Sequence, residues 1–165
     1  MKLAIISDSH DNIPNIEKFL AWAKANQIEE IIHCGDIAAP AMVGKFFGPA
    51  GIKFHCVFGN VADREILPKV CERFDNVKFH GDLGELELAG QRMAFCHFPE
   101  LAKELAQSGK YNLVFYGHDH KPAMENVGSG QMVNPGTLGG LFQKATFAVY
   151  DTVAKNLELK VLELL

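Results

Sequence analysis

The chain has 165 residues, of which 48% are hydrophobic and 22% charged, with a net charge of −4. These values suit a single globular domain over residues 1–165 with a sizeable core. They leave no apolar stretch near the ~20 residues of a membrane helix, and no basic footprint for gripping long nucleic acid. The four cysteines, Cys34, Cys56, Cys71 and Cys96, form no CxxC pair and three of them end apolar runs. They are expected to be buried thiols. The opening MKLAIISDSH reads as a first strand rather than a signal segment, so a cytoplasmic location is expected.

In chain order, residues 2–7 read as a strand. A helix follows in which Asn12 can cap, Pro14 suits the first turn, and Ile16, Phe19, Leu20 and Ala23 recur at helical spacing. Strand 30–34, a short helix near 40–47, strand 52–58 and a helix near 63–73 complete a βαβαβ unit, which predicts a parallel sheet. Beyond residue 76 glycine punctuates shorter runs. VKFHG, LGELELAG and QRMAFCHF predict antiparallel, hairpin-like strands, the last two joined at Ala89-Gly90. A helix over 99–108 and the run NLVFYG come next. Strands near 122–127, 131–134, 145–150 and 156–163 close the chain, separated by GSG and NPGTLGG turns. Two sheets packed face to face and flanked by helices would use all of these elements. There is no internal repeat or linker.

Seven residues of metal-ligand type, Asp8, His10, Asp36, Asn60, His97, His118 and His120, sit at or just beyond the ends of the apolar runs LAIIS, EIIHC, FHCVF, RMAFC and LVFYG. Buried parallel strands have this texture, and their carboxyl ends form the site-bearing edge of an open α/β sheet. The seven can therefore converge on one binuclear site, which makes metal-assisted hydrolysis the expected chemistry. Asp8 and His10, two apart on an extended end, point the same way. Asp36 offers two carboxylate oxygens to bridge two ions, and the imidazoles suit Fe, Ni, Zn and Mn.

Taken in order, D-x-H, G-D, G-N, an isolated His and G-H-x-H make the sequence resemble the calcineurin-like metallophosphoesterases, in length the small bacterial and archaeal phosphodiesterases of the YfcE type. The likeness extends to Asn134-Pro135-Gly136-Thr137. It implies an α/β fold, a four-layer α/β/β/α sandwich of two mixed sheets flanked by helices. It implies that Asp8, His10, Asp36 and His120 hold one divalent ion, and that Asp36, Asn60, His97 and His118 hold the other. Mn²⁺ is the first expectation, with Ni²⁺, Fe²⁺ and Zn²⁺ admissible. The implied function is hydrolysis of small organic phosphoesters by a metal-bridging hydroxide, with Asp36, Asn60 and His97 as catalytic residues and Asn60 and Arg64 as substrate contacts. Two ions ~3.5–4 Å apart activate water and clamp the phosphoryl oxygens.

One departure from the family pattern matters. Its third motif reads G-N-H-[DE], where the histidine protonates the leaving group; here Gly59-Asn60-Val61-Ala62-Asp63 puts an alkyl side chain in that place. A preference for activated aryl esters or diesters over alkyl monoesters follows. Asp63 is equally well read as a first-turn carboxylate of the next helix.

His33, His55 and His80 read as packing or surface histidines, with His33 also able to support Asp36. Asp11 reads as a loop or capping residue, and Asp119 has no assigned role. Phe46, Phe47 and Phe142 are expected first in the core, with a substrate-entrance wall or an oligomer contact as the alternatives. His97 lacks the usual glycine neighbours, since Cys96 and Phe98 flank it. Two rivals stand beside the enzyme reading: a protein-interaction scaffold of the same fold, as in the retromer subunit with its impaired metal site, and a nuclease. Exposed sheet edges leave room for a homodimer or homotetramer.

Overall fold

The computed structural model describes all of residues 1–165. Eleven strands form two sheets, and the first is built on β1 (Lys2–Ile6), whose residues from Leu3 to Ile6 are all buried. Burial on both faces has a direct cause. Ala4 and Ile6 pack into the cluster with Ile16, Phe19, Leu20 and Ala23 of α1 (Ile13–Ala25), while Leu3 and Ile5 turn toward the second sheet. The Asn12 side chain accepts from Asn15 N at 3.3 Å to start α1, with Pro14 in its first turn.

Parallel pairing continues from β1 to β2 (Glu30–His33), β3 (Lys53–Cys56) and β4 (Val77–Phe79). The connection from β2 to β3 carries a π-helical turn, Val43–Phe47, and that from β3 to β4 carries α2 (Ile66–Cys71). The final hairpin, β10 (Thr146–Asp151) and β11 (Asn156–Val161), adds antiparallel to the far side of β1, giving the order β11-β10-β1-β2-β3-β4.

The second sheet has the order β5-β6-β7-β9-β8, from β5 (Leu83–Leu88), β6 (Gln91–Cys96), β7 (Leu113–Phe115), β8 (Ala123–Val127) and β9 (Gly130–Asn134). β6, β7 and β9 are parallel, and the edge strands β5 and β8 are antiparallel to their neighbours. Leu3, Ile5, Ile32 and Val57 of the first sheet meet Met93, Phe95, Phe115 and Val133 of the second. Outside it, Ala102 and Ala106 of α3 (Pro99–Gln107) pack on Ala94, Val114 and Met132, small residues that let the helix approach the sheet closely. The layers are therefore helices, sheet, sheet, helix, the α/β/β/α sandwich expected from the sequence. No helix is long and apolar enough to cross a membrane.

Three expectations need correction. The VKF segment is no hairpin partner of β5 but a parallel edge strand on β3, because α2 returns the chain to the first sheet. The helix expected near 40–47 is largely a π-helical turn. Phe47 is buried as expected, yet Phe142 is 96% exposed at a loop tip with a left-handed φ of 59°, and so contributes nothing to the core. The four cysteines are buried thiols, with Cys56 and Cys71 sulfurs 3.8 Å apart.

Candidate metal centre

The carboxyl ends of β1, β2, β3, β6 and β7 come together where the two sheets meet, and the loops that leave them carry all seven expected residues. Asp8 and His10 follow β1, Asp36 follows β2, Asn60 follows β3, His97 follows β6, and His118 and His120 follow β7. Asp8, Asp36 and His97 are buried, His10 and His120 half-buried, and Asn60 and His118 exposed. The group is therefore anchored at its carboxylates and open on the Asn60–His118 side.

Ligand atoms of Asp8, His10 and His120 all lie within 4.8 Å of one another, as do those of Asp8, Asp36 and His97. His10 Nε2 and His120 Nε2 face each other at 3.1 Å, and His120 Nε2 is 3.3 Å from Asp8 Oδ1. Asp36 is aimed both ways, with Oδ2 at 3.7 Å from His10 Nε2 and Oδ1 at 3.5 Å from His97 Nε2. On the open side, Asn60 Oδ1 lies 2.9 Å from His97 Nε2 and 3.1 Å from His118 Nδ1.

These atoms are short of protons. His97 Nδ1 lies 2.9 Å from the Cys34 carbonyl, which can only accept, so Nδ1 carries the hydrogen and Nε2 presents a lone pair to the site. Asp8 Oδ1 is buried with no hydrogen-bond partner. Burial is the largest influence on the Asp8 carboxyl and raises its pKa. A buried, unpartnered carboxylate oxygen facing imidazole lone pairs is destabilising unless a cation lies among them. The donor set of carboxylate oxygen, amide oxygen and imidazole nitrogen fits divalent ions of the Mn, Fe, Ni and Zn series.

The backbone pays a conformational cost for this arrangement. Asp8 (φ 50°), His10 (40°), Asp36 (63°), His118 (74°) and His120 (58°) all lie in the left-handed region that non-glycine residues avoid. Two glycines make room beside them. Gly35 has φ 101°, and a Cβ there would lie 2.6 Å from His97 Nδ1; a Cβ on Gly59 would lie 2.0 Å from Asp36 Oδ1.

A supporting layer surrounds these residues, of which the sequence indicated only His33 and the loop role of Asp11. Thr137 Oγ1 and Gly139 N both donate to the Asp8 carbonyl, and His118 N donates to Asp8 Oδ2. Asn134 Nδ2 donates to the Gly117 carbonyl while its Oδ1 accepts from Gly136 N, so the NPG turn braces the loop carrying His118 and His120. The only signal for this was the polar NPGT run itself. Asp11 accepts from Ala38 N and Ala39 N, fixing the loop beyond Asp36. His33 reaches Asp36 through Ser9: its Nε2 is 2.9 Å from Ser9 Oγ, which donates to the Asp36 carbonyl at 3.5 Å. Full burial lowers the His33 pKa to about 3, so the ring is neutral.

The remaining candidates are placed differently. Asp63 Oδ1 accepts from Glu65 N and Ile66 N and so caps the start of α2. Arg64 is held at 2.8 Å by Asp82 and lies 4.0 Å over the Phe58 ring. Val61 is exposed at the open side, and its N–H donates to Asp36 Oδ1. Asp119 is exposed, as its position between two inward-facing histidines suggested.

The chain is similar to known proteins along nearly its whole length. Residues 1–155 match the family model of the calcineurin-like phosphoesterase superfamily domain. Phosphodiesterase MJ0936 of Methanocaldococcus jannaschii is 30% identical over 167 residues, covering 99% of this chain and 100% of the relative. A solved archaeal phosphodiesterase is similar at 26% identity with a TM-score of 0.88, covering 98% of this chain and 99% of that one. Two more distant structures share the fold: the Escherichia coli phosphoesterase YfcE, at 20% identity and a TM-score of 0.71 over 98% of this chain and 100% of that one, and Vps29 of Entamoeba histolytica, at 14% and 0.70 over 97% of each. With a family model spanning nearly its whole length, this chain belongs to the calcineurin-like phosphoesterase superfamily.

Proposed function

We propose that this chain hydrolyses small organic phosphoesters, diesters foremost, with two divalent ions held by Asp8, His10, Asp36 and His120 on one side and by Asp36, Asn60, His97 and His118 on the other. The observation that carries this reading is the division of Asp36, whose two oxygens are directed separately toward His10 and His97. Asp8 is also close to both groups, which puts two buried carboxylates at the centre. Mn²⁺ is the preferred ion, and Ni²⁺, Fe²⁺ and Zn²⁺ fit the same donors.

Divalent ions bound there supply charge for the phosphoryl oxygens and activate water for attack on phosphorus. The chain's own residues set the geometry. Asp36 and Asn60 fix where a phosphoryl group can sit, and exposed Asn60 and His118 leave it room to enter from solvent. The Cys34 carbonyl keeps the His97 proton on Nδ1 and so keeps Nε2 a ligand. Val61 donates no side-chain proton, so the leaving group departs as an anion and esters of acidic alcohols are favoured. Arg64 contacts substrate only by releasing Asp82.

A scaffold role would tolerate loss of ligands, whereas all seven are present and converge. The buried thiols suit a reducing compartment, in keeping with a cytoplasmic location. The free edges of β4, β5, β8 and β11 are surfaces on which a dimer or tetramer could form.

The deciding experiment pairs elemental analysis with hydrolysis of bis-p-nitrophenyl phosphate in Mn²⁺, Ni²⁺ or EDTA, for wild type and Asp36→Ala. Two metal equivalents and turnover, both lost in Asp36→Ala, are expected. Two bound metals with no turnover on any ester would favour the scaffold.

A further inference from the structure

Phe98 follows His97 directly and is 42% exposed. Its ring lies edge-on to two of the imidazoles at the centre, with centroids 5.0 Å from His97 and 5.1 Å from His118, and those two imidazoles are themselves 5.1 Å apart. The three rings thus meet edge to face on the open side. The backbone is fixed as well, since the Phe98 carbonyl accepts from Ala102 N in the first turn of α3. Phe98 is therefore a rigid aromatic surface at the mouth of the site.

A single exposed phenylalanine is ordinary. Here, however, a second loop brings an exposed apolar side chain to the open side. Val61 follows Asn60, whose Oδ1 lies 3.1 Å from His118 Nδ1. Polar and charged groups bind phosphate, and neither of these residues can. They suit the part of a substrate that is not phosphate. A ring held edge-on by its neighbours and open to solvent offers its remaining surface to another ring, with the attraction that aromatic pairs gain beyond simple burial.

We propose that Phe98 is a specificity-determining residue, a platform on which an aromatic ester group of the substrate packs, so that the preferred substrates are phosphodiesters carrying an aryl ring or a nucleobase on the ester that is retained. This rests on the hydrolytic reading above and adds the chemistry of the non-reacting arm. The preference concerns the retained ester and is separate from the leaving-group effect of the missing proton donor at Val61.

Three diesters with the same p-nitrophenolate leaving group test it: the methyl, the phenyl and the thymidine-5′ p-nitrophenyl phosphates. The expected KM of the Mn²⁺-loaded enzyme is about five- to tenfold lower for an aromatic arm than for methyl. Phe98→Ala is expected to erase that difference by raising the KM of the two aromatic esters to that of the methyl ester. Phe98→Tyr should restore it, and Phe98→Leu should not. The phenyl and thymidine arms separate an aryl source from a nucleoside source. Calorimetric binding of phenylphosphonate against methylphosphonate reads the same platform without turnover, and the phenyl compound should bind more tightly to wild type only. Equal KM values for all three esters, or a methyl-ester kcat that falls in Phe98→Ala as much as the others, overturns the platform; the latter result would make Phe98 a brace for the imidazoles. Absence of turnover on every ester overturns the hydrolytic reading instead, and the phosphonate pair still decides Phe98.

Discussion

The molecule contains two clusters of histidine and carboxylate, and they are built on opposite principles. At the candidate metal centre, atoms from five loops converge, Asp8 Oδ1 has no donor, and five of the seven backbones are left-handed. Between the sheets, Glu30, His55 and His80 form a line instead. His55 Nε2 is 3.3 Å from Glu30 Oε2 while its Nδ1 is 3.0 Å from His80 Nε2, and Lys53 closes the line at 2.9 Å from Glu30. None of these residues has a positive φ. His55 meets Glu30 through Nε2 and His80 through Nδ1, so the two partners lie on opposite sides of its ring and share no common point for an ion. Residue type alone does not make a metal site; convergence of unsatisfied acceptors does, and it requires backbone conformations that packing elsewhere must hold.

The contrast can be broken most severely at Asp8. Asp8→Ala removes a buried carboxylate close to both groups, and activity on bis-p-nitrophenyl phosphate is expected to fall on the order of 10³-fold with metal content falling alongside. Retained metal and rate would show that the convergence is incidental. Gly59→Ala tests the space beside Asp36: its Cβ meets Oδ1, so a loss of about 10²-fold in rate is expected, with a stability cost of ~1–3 kcal/mol by denaturant titration. Val61→His works in the other direction. It should raise the rate on alkyl esters about 10²-fold where protonation limits, and change p-nitrophenyl esters little. If poor leaving groups gain nothing, the missing-acid argument is wrong.

The smallest effect on activity is expected at the linear cluster. His80→Phe should leave the kcat unchanged and move the thermal midpoint by about 2–4 °C at pH 7. Its clearer signature is pH dependence. Burial, then the charges of His55 and Lys78, lowers the His80 pKa from 6.5 to about 4, and burial lowers that of His55 as well. The unfolded chain therefore binds more protons than the folded one between those values, so this stability is complete above pH 6.5 and is lost as the pH falls through about 4. A melting series from pH 7 to 4 should show a shallower decline for His80→Phe than for wild type. An identical decline would remove His80 from the acid response.

Much of the fold and nearly all of the site were legible because both rest on local patterns. Parallel strands buried on two faces must be continuous apolar runs, and ligands placed just past their ends must share an edge. The elements that escaped were those decided by distant partners. VKF reads as half of a hairpin, and only the return path of α2 assigns it to the first sheet. Phe142 reads as core on its hydrophobicity, yet sits on an exposed loop whose Gly139 donates to the Asp8 carbonyl and accepts from Asn12 and Asn15 at the start of α1. Arg64 reads as free to meet substrate until Asp82, eighteen residues on, holds it.

By itself, then, the sequence determined which residues of metal-ligand type stand at the strand ends, the two-sheet layering and the alkyl side chain at Val61. These depend on which side chain stands at which strand end. Tertiary structure alone decided that His97 keeps its proton on Nδ1, that Asp36 divides its oxygens between two groups, that Thr137 and Asn134 brace the Asp8 and Gly117 loops, and that Phe98 stands open beside two imidazoles. Each of these depends on a distance between residues far apart in the chain, and such distances exist only once both sheets have closed on a common core.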